Sequence, residues 1–173
     1  MISTSMRLRV AVMFAGAVLT AQPAAAQVQK SGNFLSLELA MEAAAAAAQA
    51  CEANDWPVSV SVVDAAGNVK LQAKGDHSTI HTKDSSFRKA YTLVTMGPLF
   101  DFDRLGVWVE KLKTNPYAST YATLPNMFLL PGAVAVRIKG EIVAAIGVGG
   151  APGGEKDEAC AAAGLAKIQS RLP

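Results

Sequence analysis

Val143-Ala144-Ala145-Ile146-Gly147-Val148-Gly149-Gly150-Ala151-Pro152-Gly153-Gly154-Glu155-Lys156-Asp157-Glu158-Ala159 decides how this chain is read. An apolar strand runs into a glycine-rich loop, and the loop opens a helix whose first turn is acidic. Glycine lets backbone approach a ligand or a neighbouring strand closely. A helix N-terminus presents unpaired N–H donors and partial positive charge, so the loop is a candidate anion site. It lacks the Gly-Lys-Ser/Thr ending of a phosphate loop, and no parallel unit surrounds it as a dinucleotide fingerprint requires. The plainer alternative is a tight turn that packs a C-terminal helix onto a sheet.

Outward from the loop, Ala133 to Ile138, a Lys139-Gly140 turn and Glu141 to Val148 form a hairpin pattern. Val58 to Asp64 alternates apolar and small polar residues. Ala65-Ala66-Gly67-Asn68 is turn chemistry, and Val69 to Ala73 alternates again, which predicts a second hairpin. Met127 to Leu130 is a further short strand candidate. Ser36 is a good N-cap for an alanine-rich helix that stops near Asn54, before Trp56-Pro57. Thr82 to Met96 has helical periodicity, with Gly97-Pro98 as its stop. Phe102 to Leu112 reads as a short helix, Lys113 to Pro125 as a loop, and Gly154 to Leu172 as the last helix. Strands joined by tight turns cannot be parallel neighbours, so the order predicts an α+β domain with an antiparallel sheet and helices packed on it.

Arg7 and Arg9 precede an apolar run, Val10 to Leu19, and Ala24-Ala25-Ala26 matches an A-x-A cleavage pattern. Residues 1–26 therefore read as a secretory signal peptide, and the expected location is periplasmic or secreted. Removal leaves a single domain at 27–173, roughly 147 residues long. The formal net charge of +2 includes both leader arginines, so the mature chain lies nearer neutrality. No basic stripe interleaved with aromatics is present, which argues against nucleic acid. No second apolar span follows, which argues against an integral membrane protein. Cys51 and Cys160 fall on predicted helices. An oxidising compartment permits a disulfide, and two buried thiols acting as small hydrophobes are the alternative.

His77 and His81, the two histidines, stand four residues apart beside the second helix. If both are helical they share a face. They are candidate ligands for a metal or a haem iron, with a structural helix-start role and simple solvation as the alternatives. Neither cysteine has a histidine near it in sequence, and no serine–histidine–carboxylate spacing names a reaction.

Four stretches together resemble the GlcG/HbpS-type haem-binding family, which includes the C-terminal domain of certain corrinoid adenosyltransferases. They are Val58 to Gly67, His81 to Thr92, Leu129 to Val136 and Gly147 to Cys160. The likeness spans residues 36–172. It implies a profilin-like three-layer α/β/α fold around a five-stranded antiparallel sheet with helices on both faces. It also implies haem as cofactor and a homo-oligomer, often an octamer in secreted members. Many relatives carry a glycine pair where this chain has Leu130-Pro131-Gly132, a departure that bears on the ligand pocket.

A haem site needs an axial ligand, an apolar slot and donors for two propionates. His81 supplies an imidazole at a helix start. Phe87, Tyr91 and Met127 are candidates for the apolar wall, with core packing as the alternative. Lys83, Arg88 and the amides from Gly153 and Gly154 to Glu155 are candidates for the propionates. Glu155 and Glu158 form an ExxE pair that suits ferric iron, or they simply decorate a helix N-terminus. Two other functions are carried beside haem binding. One is a small-molecule enzyme or sensor using a cleft between the glycine loop and the central helix. The other is a structural oligomer without ligand.

Overall fold

The computed structural model describes residues 32–173. The expected signal peptide and mature N-terminus lie outside the described residues. Helix α1 (Leu37–Glu52) starts where Ser36 Oγ accepts from the Leu39 amide at 3.2 Å. Its buried stripe is Ala40, Ala43, Ala44, Ala47 and Cys51, the spacing of one helix face. Strands β1 (Ser59–Asp64) and β2 (Val69–Lys74) form the first hairpin. Asp64 Oδ1 fixes its turn by accepting from the Ala66 and Asn68 amides, each at 2.9 Å.

Helix α2 (His81–Phe100) is followed by α3 (Leu105–Leu112) and the single-turn α4 (Ala118–Tyr121). Strands β3 (Ala133–Ile138) and β4 (Glu141–Gly149) form the second hairpin, turned by Lys139 and Gly140 at φ 50° and 83°. Two left-handed residues in a two-residue loop match the twist of the flanking strands. Helix α5 (Gly154–Ile168) ends the domain, with a 3₁₀ turn over Gln169–Arg171.

β1 also pairs antiparallel with β4, which joins the hairpins into one sheet of order β2-β1-β4-β3. Alternation along the strands sends side chains to two cores. Val60, Val62, Val134, Val136, Ile146 and Val148 pack under α1 and α5. Val63, Ala133, Ala135 and Ala145 pack under α2 and α3 with Leu93, Phe102 and Trp108. The layers are therefore α/β/α. Among the described residues no helix is long and apolar enough to cross a membrane.

On the first face α1 and α5 touch closely, because a Cβ on Gly164 would stand 2.5 Å from the Ala43 carbonyl oxygen. The Cys51–Cys160 disulfide, with Cα atoms 5.5 Å apart, ties the same two helices. It resolves the alternative left open by the sequence, and no free cysteine remains among the described residues.

Three expectations change. The sheet has four strands rather than five. Met127 to Leu130 is held by α2 instead: Met127 O accepts from Arg88 Nη2 at 2.5 Å, and the Phe128 amide donates to Thr92 Oγ1 at 2.8 Å. The outer edge of β3 is met by Asp103 and Arg104, through Ala135 N to Asp103 O at 2.8 Å and a lone bridge between Arg104 and Val134. This is why α3 begins at Leu105 and not at Phe102. Finally, α2 runs through Gly97 and Pro98 to Phe100. A proline near a helix end removes one internal hydrogen bond, and Asp101, at φ 48°, caps the helix through its N–H to Gly97 O.

Candidate functional site

The second face of the sheet is built from small residues where α2 crosses it. A Cβ on Gly147 would lie 2.2 Å from Ser86 O, and one on Gly149 would lie 2.1 Å from Ser85 Oγ. These strand glycines therefore serve helix–sheet contact. The approach buries hydroxyls, and each finds a partner. Ser59 Oγ meets Thr82 Oγ1 at 2.7 Å, and Ser61 Oγ meets Ser86 Oγ at 2.8 Å. At Gly147 and Gly149 the central helix therefore lies directly against β4.

The loop carries its own anion. Asp157 Oδ1 accepts from the Ala151 amide at 2.9 Å, and the Gly150 amide also points at this carboxylate. Asp157 Oδ2 accepts from Lys89 Nζ at 2.6 Å, with both side chains only 4% exposed. Burial pushes the Asp157 carboxyl above the ordinary aspartate range, and Lys89 and the two amides pull it partly back. Gly132 covers the pair so closely that a Cβ there would meet Lys89 Nζ at 2.7 Å. The Gly150 and Ala151 amides of the loop are thus engaged by a carboxylate of the chain itself, while the expected propionate donors were the amides from Gly153 and Gly154 to Glu155.

Glu158 is the second buried carboxylate. Its Oε1 accepts from Arg104 Nε at 2.9 Å, and its Oε2 accepts from Gly106 N at 2.7 Å and Gly132 N at 3.3 Å. It pins α3 and the entry of β3 onto α5. The ExxE pair is split by this arrangement, since Glu155 is exposed while Glu158 is buried and committed. Among the described residues no group of three or more His, Cys, Asp or Glu side chains is arranged to hold a metal ion.

The histidines part company too. His77 has φ 61° and lies in the turn before α2, while His81 opens the helix, so the two are not a helical i,i+4 pair. His81 is exposed, with Nδ1 at 3.0 Å from Thr79 Oγ1. When the hydroxyl accepts, the proton sits on Nδ1 and the Nε2 lone pair is free for a metal. Lys83 is half-buried on the same turn. Arg88 reaches the Met127 carbonyl and lies 5.0 Å over the Phe128 ring, leaving its buried Nε without a partner. Tyr91 packs at a tilt against Phe87, with ring centroids 5.7 Å apart, and covers Gly67 in the first hairpin turn.

Gly150 packs beside Thr82, next to His81, whereas Gly154 packs against Pro131 and Gly153 is exposed. The first turn of α2 therefore meets the start of the loop and not Gly153 or Gly154. Two surface cavities stand out. One, of about 300 Å³, is lined by His77 among others, and one, of about 620 Å³, lies between Val94–Leu99 and the β3–β4 turn. His81 lines neither. Sequence reasoning missed Lys89, Asp157 and Arg104. Only the low frequency of lysine inside helix faces that otherwise carry Ala90, Leu93 and Val94 hinted at the first.

A family model described as "Haem degrading protein HbpS-like" matches residues 35–166. The chain belongs to the HbpS-like family. A crystal structure of HbpS is 36% identical, with a TM-score of 0.70, over 79% of this chain and 91% of that one. A double mutant of HbpS from Streptomyces reticuli is 34% identical, with a TM-score of 0.70, over 94% and 97% of the two chains. A PduOC complex with haem is 20% identical over 79% and 96%, with a TM-score of 0.69, and at that identity it supports the HbpS-like fold alone. The comparison with curated proteins finds no match.

Proposed function

We propose that this protein is an exported haem-binding protein, and that His81 supplies an axial imidazole. Membership of a family described as haem-degrading is the observation that carries the reading. A relative of the same fold is described as a haem complex, which agrees with it. The donor set around the start of α2 suits the ligand. His81 is exposed with its Nδ1 engaged by Thr79, which favours Nε2 as the ligating atom. Lys83, half-buried on the same turn, offers positive charge for a propionate, whereas Arg88 is committed to the Met127 carbonyl and the Phe128 ring. Haem bound there would supply an iron centre, and the chain's own residues would orient it and set its polarity.

A single copy offers little apolar wall at His81. The neighbouring Ile80 is 70% exposed, as a side chain awaiting a cover would be. We therefore place the haem between copies of a homo-oligomer, with the octamer as the expected form, in the periplasmic or secreted compartment.

The test is an absorption spectrum of protein purified from its own compartment, followed by hemin titration of the mature chain under size-exclusion control. A shifted Soret band with saturating stoichiometry is expected. Free-hemin spectra throughout the titration would end the proposal and leave only the family scaffold.

A further inference from the structure

Helix α2 starts without a side-chain cap, although Ser78 and Thr79 stand just before it. Serine and threonine in that place ordinarily accept from the first helix amides. Here Ser78 Oγ donates to Gly75 O at 2.8 Å, and Thr79 Oγ1 lies 3.0 Å from His81 Nδ1. The usual capping bond is given up, and the threonine hydroxyl meets an imidazole instead. Natural proteins break such local rules chiefly at functional positions.

Thr79 is held in place for this contact. Its carbonyl accepts from the Thr82 amide at 3.2 Å and from Thr82 Oγ1 at 2.6 Å. Thr82 is 1% exposed, and its hydroxyl meets the buried Ser59 Oγ of β1 at 2.7 Å. A line of hydrogen bonds therefore runs from the sheet through Thr82 to the backbone of Thr79. A β-branched side chain on a fixed backbone has few rotamers, so the hydroxyl stays beside the ring.

We propose that Thr79 is the positioning residue of the His81 site, an inference that rests on His81 being the haem ligand. With iron on Nε2, Nδ1 carries the ring proton and can only donate. A hydroxyl accepts that hydrogen bond, whereas a lysine or arginine in the same place has no lone pair to offer. The Thr79 hydroxyl fixes the plane of the imidazole and raises its basicity as a ligand.

Two measurements on the intact mature protein test this. Nitrogen NMR at about pH 8, where histidine is ordinarily neutral, reads the imidazoles without haem. Thr79→Val keeps the shape of the side chain and removes its hydrogen bond. It should move the His81 Nδ1 resonance, Thr79→Ser should restore it, and the His77 nitrogens should stay where they are. His81 nitrogens that do not move in Thr79→Val overturn the proposal. Hemin titration is the second measurement. Thr79→Val should bind roughly tenfold or more weakly, as loss of a partner behind a ligating histidine does, with Thr79→Ser close to the unaltered protein. Equal affinity of Thr79→Val and the unaltered protein, where His81→Ala binds more weakly, also overturns it. If His81→Ala binds as tightly as the unaltered protein, ligation by His81 itself fails and the proposal falls with it. The haem-free nitrogen spectra keep that result apart from a failure of the Thr79 contact. Thermal midpoints check that each variant folds, and Thr79→Ala stands in if Thr79→Val does not.

Discussion

Replacing Lys89 by methionine removes the ammonium that faces the buried Asp157 carboxylate while keeping the length and most of the packing of the side chain. Both groups are 4% exposed and 2.6 Å apart, so water cannot substitute for the lost partner. Breaking a buried pair costs about 3–5 kcal/mol while the remaining group stays charged. Asp157 keeps two backbone amide donors, which favours the lower part of that range, about 3 kcal/mol at pH 7.5. The pH dependence is the sharper consequence. The folded carboxyl already titrates above its ordinary value because burial outweighs Lys89 and the amides. A raised carboxyl pKa means that the folded state holds its proton longer than the unfolded state. Stability from this group is then fully present below about pH 3.9 and is lost as pH rises through the folded pKa. Removing Lys89 deletes a lowering cause, so the folded pKa rises further and the window widens upward. Urea denaturation of Lys89→Met and the unaltered protein, disulfide intact, should show the gap between them narrowing on going from pH 7.5 to pH 5. The narrowing is at most about 1.4 kcal/mol per pH unit for one proton. Other carboxylates titrate alike in both proteins and cancel. A gap that stays constant, or grows on acidification, would refute the assignment of Asp157 as a carboxylate held charged by Lys89.

Asp157→Ala should cost more than Lys89→Met, by about 1 kcal/mol or more at pH 7.5 in the same urea assay, because it orphans the Ala151 and Gly150 amides as well as the ammonium. Reducing the Cys51–Cys160 bridge, which spans 109 positions, should lower unfolding stability by about 4–5 kcal/mol on a chain-entropy basis, seen as a fall in urea midpoint with added reductant. Gly147→Ala should cost about 1–3 kcal/mol or more in thermal unfolding, since its Cβ would land 2.2 Å from Ser86 O and only a backbone shift can make room. Gly140→Ala, with open space around it but φ 83°, should cost only about 1 kcal/mol, so the two variants separate overpacking from backbone strain.

Elements written in local chemistry were legible from the chain. Ser36 ahead of an alanine run, the Asp64 to Asn68 turn and the Lys139-Gly140 turn each fix a neighbouring element with side chains a few residues away. The alternation of Ser59, Ser61 and Val63 against Val60 and Val62 marked a strand, whereas the α/β/α layering was what the family resemblance implied. What the sequence hid was set by distant partners. Met127 to Leu130 carries strand-like residues, yet Arg88 and Thr92 on α2 claim its polar backbone. Pro98 looks like a helix stop, but its position near the end leaves little to break. Asp157 and Glu158 look like ordinary first-turn acids. Their burial depends on Lys89, Arg104 and Gly132, residues 26 or more positions away for the hydrogen bonds that decide it. The glycine loop was legible as a place where amides converge, but not as one whose anion is already supplied. The two histidines separated because His77 adopts a left-handed turn that periodicity cannot show.

Hemin titration of His81→Ala beside the unaltered protein asks whether the His81 imidazole ligates haem iron. With His81 as the axial ligand, the unaltered protein shows a shifted Soret band, His81→Ala loses or displaces it with the thermal midpoint unchanged, and free imidazole restores it. An identical Soret band and affinity in the two proteins would contradict that ligation.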